Sequence, residues 1–258
     1  MLLLLSFLSG CVHLSESVGL SPTLEAHESV TLGWRLVPGQ SLSYAHRVRL
    51  LRGQDEVGRE EHWTYLVREV NPQGVALLEG RLTGFGALFA SEEGRLSSAI
   101  LDPIVSLERK TMEDARVWIR LSQSGQIQSI EGLSWEQTLS HTLLGLAFPG
   151  KTVGPGKEWS DPAMLSPLLN LVSPRVAVMP VGKQVLMDLG TRKRVSARVL
   201  SEGSLVLGGE DVPALALSGE SFWDLEHGAL ISRQLNLSLR QYDADFGSRL
   251  ILEIERQH

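Results

Sequence analysis

The sequence predicts a mainly β protein, a curved antiparallel sheet or incomplete barrel with one or two packing helices. Three observations carry that expectation. Short stretches of alternating or β-favouring residues recur along the chain, divided by turn formers, at lengths that suit antiparallel strands. Three turns share one form, a polar triplet followed by glycine. A single stretch combines helical periodicity with a helix start signal.

Strands are expected at 43–51, 61–70, 75–82, 115–121, 194–200, 214–219, 230–240 and 249–255. In the segment from Ala229 the alternation is plain. Leu235, Leu237 and Leu239 fall on one face and Asn236, Ser238 and Arg240 on the other, so one face is buried and one is wet. The turns are Ser91-Glu92-Glu93-Gly94, Ser122-Gln123-Ser124-Gly125 and Leu225-Glu226-His227-Gly228. Glycine in the last place suits a type I turn closed by a left-handed residue, which a Cβ would penalise. The helix is expected from Ser134 to Ala147, with Ser134 and Gln137 as a capping box and Leu139, Leu143 and Leu146 on one stripe facing the sheet. Beyond it Pro162, Pro167 and Pro174 bracket a short apolar stretch, so two halves of a β-rich domain spanning 30–258 are expected to meet near 148–180.

With 258 residues the chain can bury a core of one large domain or two small ones. Its 43% apolar and 21% charged residues exclude a disordered or multi-spanning chain. A net charge of -6, with basic residues scattered apart from Arg192-Lys193-Arg194, makes nucleic acid an unexpected partner. The single cysteine, Cys11, can form no internal disulfide and no cysteine-based zinc or iron–sulfur site.

That cysteine has its own setting. Residues 1–10, MLLLLSFLSG, form an apolar run too short to span a bilayer, which is either an export signal or a buried strand carrying a free thiol. The segment Leu8-Ser9-Gly10-Cys11 resembles the bacterial lipobox. The resemblance implies that residues 1–10 are a signal peptide, that Cys11 is the lipidation site and that the mature chain is held to a membrane through its N-terminal lipid. Residues 11–29 then read as a lipidated tether, since polar, proline and glycine residues leave no persistent period. In lipoproteins of this kind a residue other than aspartate after the cysteine implies the outer membrane, and Val12 fits. The phrase Phe148-Pro149, Val153, Gly156 and Trp159, followed by Trp223-Asp224 ahead of Gly228, loosely resembles uncharacterised β-rich proteins secreted by bacteria, which implies a fold class and no activity.

Several patterns invite a chemical reading. Gly145 to Thr152 satisfies the phosphate-loop pattern letter for letter. That loop needs a strand before it and a helix starting at its Lys-Thr, so that backbone amides meet the phosphates. Here a helix precedes Lys151, and Val153-Gly154-Pro155-Gly156 would break any helix after it. A helix end running into a turn is expected instead, with no nucleotide. His46 and His62 fall on adjacent expected strands within reach across a hairpin, but two imidazoles without carboxylates at fixed spacing predict no metal. Asp243-Ala244-Asp245 opens like a calcium loop without its further ligands. No serine lies in a nucleophile elbow, and the pairs Glu60-Glu61 and Glu92-Glu93 are adjacent, which in a strand sends them to opposite faces. The six tryptophans could line a cleft, although large aromatics usually belong to the core. No catalytic, cofactor-binding or metal residue is therefore assigned, and no cofactor is expected. Two functions remain open. One is a non-catalytic envelope lipoprotein that binds an apolar ligand or another envelope protein, by analogy of fold with the lipoprotein-carrier group. The alternative is a hydrolase acting on envelope material, with a site assembled from distant residues.

Overall fold

The structure is a computed structural model that describes residues 29–52, 55–90, 110, 112, 114–161, 178–189, 196–207, 215–239 and 248–257. The expected signal peptide, Cys11, the Ser91–Gly94 turn and the Asp243 segment lie outside the described residues.

The chain folds as one open antiparallel sheet of eleven strands, in the order β6-β5-β4-β3-β2-β13-β12-β11-β10-β9-β8. The first meander is β2 (Ser41–Arg52), β3 (Asp55–Val70), β4 (Val75–Ala90), β5 (Arg116–Ser122) and β6 (Ile127–Glu131). The second is β8 (Glu158–Ser160), β9 (Val178–Leu189), β10 (Ser196–Leu207), β11 (Leu215–Asp224), β12 (Ala229–Leu239) and β13 (Ser248–Arg256). They join in the middle, where β13 pairs with β2 from Ser248↔Arg52 to Arg256↔Tyr44. The strands before and after residues 148–180 thus share one sheet and one core. A separate two-stranded ribbon pairs β1 (Val30–Thr31) with β7 (Thr152–Val153).

Alternation decides the two faces. On β5, Val117, Ile119 and Leu121 are buried while their neighbours are exposed, and β12 repeats the pattern with Leu235 and Leu237 inside and Ser238 outside. Ion pairs cross the strands of the outer face: Arg47 with Glu60, Arg49 with Glu253, Lys183 with Glu202 and Arg198 with Glu220. Each contributes little in water, but together they mark that face as the wet one.

The sheet is strongly curled. Trp34 N donates to Gln123 O and Arg35 N to Gly228 O, both at 2.9 Å. Those acceptors stand at the ends of β5 and β12, five strand spacings apart, about 24 Å in a flat sheet. Consecutive residues reach only acceptors within about 10 Å of each other, so the strand ends are drawn together at this end. Trp34 fills the gap, edge to face with Trp223 at 4.8 Å, and Phe148 packs on Trp223 at the same distance.

The helical segment is shorter and tighter than the sequence predicts. A single α-turn, α1 (Trp135–Thr138), runs into a 3-10 helix over Leu139–Leu144. Gln137 Oε1 accepts from Ser134 N at 3.0 Å, as a capping box requires. The helix stops at Gly145, whose backbone is extended, and Leu146 and Phe148 continue into the core as irregular chain, with Phe148 N donating to Ser124 O. Leucine periodicity correctly marked buried positions; tertiary contacts override the propensity to extend the helix.

Two expected glycine turns are present, with Gly125 at φ +81 and Gly228 at φ +59. Gly125 is doubly constrained, because a Cβ there would overlap the carbonyl of Leu146. The strand over Ile127–Glu131 was not expected, and neither was β9, in which Pro180 and Gly182 read as breakers. Among the described residues β8 pairs only with Lys183, Gln184 and Val185, so no described strand lies beside Pro180 on that side, a setting in which proline is tolerated.

The faces of β12 should respond differently to truncation. Leu237→Ala is expected to cost about 2–5 kcal/mol in urea unfolding, since it removes buried methyl groups and leaves a cavity. Ser238→Ala on the wet face should stay within about 0.5 kcal/mol. Equal, large losses at both positions would contradict the two-faced strand.

Candidate functional site

The inner face of the sheet is not uniformly apolar. The frame that buries Leu42 and Tyr44 on β2 also carries His46 inward; on β3 the frame of Trp63, Tyr65 and Val67 carries Glu61; on β12 that of Leu235 and Leu237 carries Arg233. Register aligns them. Ser221, Arg233, Ile254, His46 and Glu61 stand opposite one another across β11, β12, β13, β2 and β3. Beyond them Gln184 of β9 faces Ser201 of β10. Every polar member of this belt is at most 2% exposed. Burying polar groups is costly unless they are paired, so their partners define the belt.

At the β2–β3 end the centre is Tyr65. Its Oη lies 3.0 Å from His46 Nε2 and 2.6 Å from Nδ1 of His141, which the 3-10 helix supplies. A phenol has one proton, so Tyr65 donates to one imidazole and accepts from the other; since the bonds reach Nε2 of His46 and Nδ1 of His141, both neutral rings then carry the same tautomer. Gly80 lies across the strand pair from Tyr65 and makes room for it; a Cβ there would come within 2.8 Å of the tyrosine ring. Glu61 accepts from Trp63 Nε1 at 2.9 Å and Ser140 Oγ at 3.3 Å and pairs with Arg59 at 2.6 Å. Burial pushes His46 down to about 3, opposed by the backbone of Ser140, and holds His141 well below the ordinary imidazole value. It also drives Tyr65 up, with the charge of Glu61 adding to the effect. All three groups are neutral at pH 7, which suits a polar core sealed from water better than acid–base chemistry.

At the other end is a cation. Arg233 Nη1 donates to the carbonyls of Leu143, at 3.3 Å, and Gly145, while Nε and Nη2 have no hydrogen-bond partner among the described residues. Burial pushes its guanidinium down to about 10, with Asp161 pulling the other way, so it stays charged at neutral pH. Asp161 Oδ2 accepts from Gln184 Nε2 at 2.7 Å, and Gln184 Oε1 accepts from Ser201 Oγ at 2.9 Å.

From the belt toward the β2–β3 turn the inner face carries Val48 and Leu250, with Arg59, paired to Glu61, opposite Val48. It reaches the surface at the cross-strand pair Leu50 and Val57, 43% and 39% exposed. At the opposite end a cleft of about 330 Å³ opens beside Trp34, lined by Val37, Val70, Ala76, Leu121 and Gln123.

The sequence-based candidates sort out as follows. His46 and His62 do lie on adjacent strands, but on opposite faces: His46 is buried, whereas His62 is partly exposed and pairs with Glu60 at 2.8 Å. The proximity expected for them is realised instead between His46 and His141, ring centres 5.1 Å apart. Glu60 and Glu61 split across the sheet as adjacent strand residues must. Lys151 is exposed; the chain before it is the 3-10 helix and the chain after it is β7, the wrong order for a phosphate loop. Among the tryptophans, Trp34, Trp63 and Trp223 are core and Trp118 is 36% exposed. Among the described residues no three of His, Cys, Asp and Glu group as metal ligands, and no helix is long and apolar enough to cross a membrane.

Tyr65, His141 and Arg233 were not singled out from the sequence, and Glu61 only as one of an adjacent pair. For Tyr65 and Arg233 a signal existed, a polar residue in the buried frame of an alternating strand; His141 lies on the helical segment and had none.

The site and fold define a class, an open, curled antiparallel half-barrel with a buried polar belt. No model of a known protein family matches the chain, and no curated protein matches its sequence.

The belt has a measurable pH signature. Because folding holds His46 and His141 below the ordinary value of 6.5, the unfolded chain binds protons that the folded chain refuses. Their contribution to stability is complete above pH 6.5 and is lost as pH falls through that value toward about 3. Urea unfolding between pH 7 and 5 should lose stability below pH 6.5 by up to about 1.4 kcal/mol per pH unit for each histidine. His46→Gln should remove roughly half of that slope. A flat profile would mean that the imidazoles are not held neutral.

Proposed function

We propose that the protein is a lipid-anchored component of the bacterial cell envelope, attached at Cys11 to the outer membrane, that binds an apolar ligand against the concave face of its sheet. The binding half rests on one observation. The inner face, which an open sheet must cover, surfaces as an apolar floor at Leu50 and Val57 above a belt of fixed polar groups. An apolar concavity with few, well-placed polar groups is the usual form of a small-molecule site. The sealed, neutral state of His46, Tyr65 and His141 favours this reading over a hydrolase. The anchor half rests on the lipobox resemblance of Leu8-Ser9-Gly10-Cys11.

Each half has its own test. Cys11→Ser should move the protein from the detergent phase to the soluble fraction and abolish incorporation of labelled fatty acid; unchanged partitioning would sink the anchor. The same acyl-free full chain should enhance the fluorescence of the neutral probe diphenylhexatriene. Leu50→Asp and Val57→Asp, at exposed positions, should weaken that binding about tenfold while the fold survives, because a carboxylate on an apolar floor must be desolvated. No enhancement by the folded chain would rule the apolar site out.

A further inference from the structure

An arginine offers an oxyanion a planar fork, and its Nε–Nη2 edge is one of two that match a carboxylate or phosphate bidentately. In Arg233 the carbonyls of Leu143 and Gly145 hold Nη1 and so fix the plane of the guanidinium. The whole Nε–Nη2 edge is left without a hydrogen-bond partner among the described residues, although the side chain is only 2% exposed. Ser221, directly opposite on β11 and fully buried, has a hydroxyl in the same condition. Opposed side chains have Cβ atoms about 4.5–5.5 Å apart, so the Ser221 hydroxyl stands beside the stem that carries the guanidinium. Among the described residues these three buried donors have no acceptor, the carboxylate of Asp161 acting on the guanidinium through its charge, whereas native interiors pair nearly all such groups. An oxygen pair bearing negative charge satisfies all three.

The surroundings restrict what carries those oxygens. Along β12 the next inward residues are Leu235 and Leu237, opposite Leu252 and Leu250 of β13, and Leu250 faces the part-exposed Leu50. We propose that the concave face takes a single-chain anionic amphiphile, with its carboxylate or phosphate on the Nε–Nη2 edge of Arg233, Ser221 as a further donor, and its hydrocarbon running toward the part-exposed Leu50 and Val57. This rests on the apolar-ligand reading and adds the headgroup to it.

The test is titration calorimetry on the full chain carrying Cys11→Ser, with dodecanoate, dodecyl phosphate, dodecanol, acetate and inorganic phosphate as separate ligands. Dodecanoate and dodecyl phosphate should bind at least about tenfold more tightly than dodecanol, and the two small anions more weakly than either, because charge-assisted bidentate pairing adds to burial of the tail. Arg233→Met, which replaces a buried cation by an apolar chain, should bring the dodecanoate-to-dodecanol ratio close to one; Ser221→Ala should lower it a few-fold. Circular dichroism checks that each variant folds, and should Arg233→Met fail, the native ratio and Ser221→Ala still decide. Dodecanol binding as tightly as dodecanoate overturns the headgroup assignment and leaves the apolar-ligand reading standing. Acetate or inorganic phosphate binding as tightly as the long-chain ligands overturns the amphiphile in favour of a free anion. Binding by none of the five overturns both readings.

Discussion

The structure depends on how an eleven-stranded sheet with one apolar face hides that face with so little helix. A flat sheet of this width would need a full layer of helices on one side. Here the sheet curls, and the consecutive residues Trp34 and Arg35 tie two distant strand ends with one backbone hydrogen bond each. Trp34, Trp223 and Phe148 then plug that end, and the 3-10 helix lies across the mid-section. The curl thus decides which residues meet: it lets one short helical segment supply His141 to Tyr65 and the carbonyls of Leu143 and Gly145 to Arg233.

The buried polar belt is a cost that the fold carries for specificity of packing. Neutral tyrosine and histidine bonds and the paired Glu61 can be satisfied only when the helical segment sits in one register against β2 and β3. Leucines alone would accept neighbouring registers with small losses. Arg233 is different, because two of its three nitrogens remain without a hydrogen-bond partner among the described residues. A satisfied network explains rigidity; an unsatisfied edge calls for something to occupy it.

Much of this was legible in the sequence. Alternation or dense β-formers between turn residues located all eight strands expected from them, and glycine located two described turns, because these signals follow from local backbone sterics. The capping box at Ser134 was likewise a local signal. What alternation also contained was the belt: the frame of Leu235 and Leu237, carried back two residues, reaches Arg233, and that of Trp63 and Tyr65 reaches Glu61. The meeting of His46 with His141 was not legible, since it depends on the curl and on a helix that tightens to 3-10, both products of long-range contacts. Strand β9 was hidden for a related reason, as Pro180 suits a strand where its nitrogen faces no pairing partner, and among the described residues none pairs with it on that side.

The pairing of β13 with β2 has a bearing on how the molecule is assembled. Each meander is built from neighbours in sequence and can form early, but the seam between them joins residues 41–52 to residues 248–256 across nearly the whole chain. Closing so long a loop is entropically unfavourable and is rewarded only when the seam zips. Until the final strand emerges from the ribosome, Leu42 and Tyr44 on one side and Leu235 and Leu237 on the other belong to two separate sheets, each with an unpaired edge facing its missing partner. Strand β13 is therefore the closure of the fold, and a chain that lacks it is left as two sticky halves.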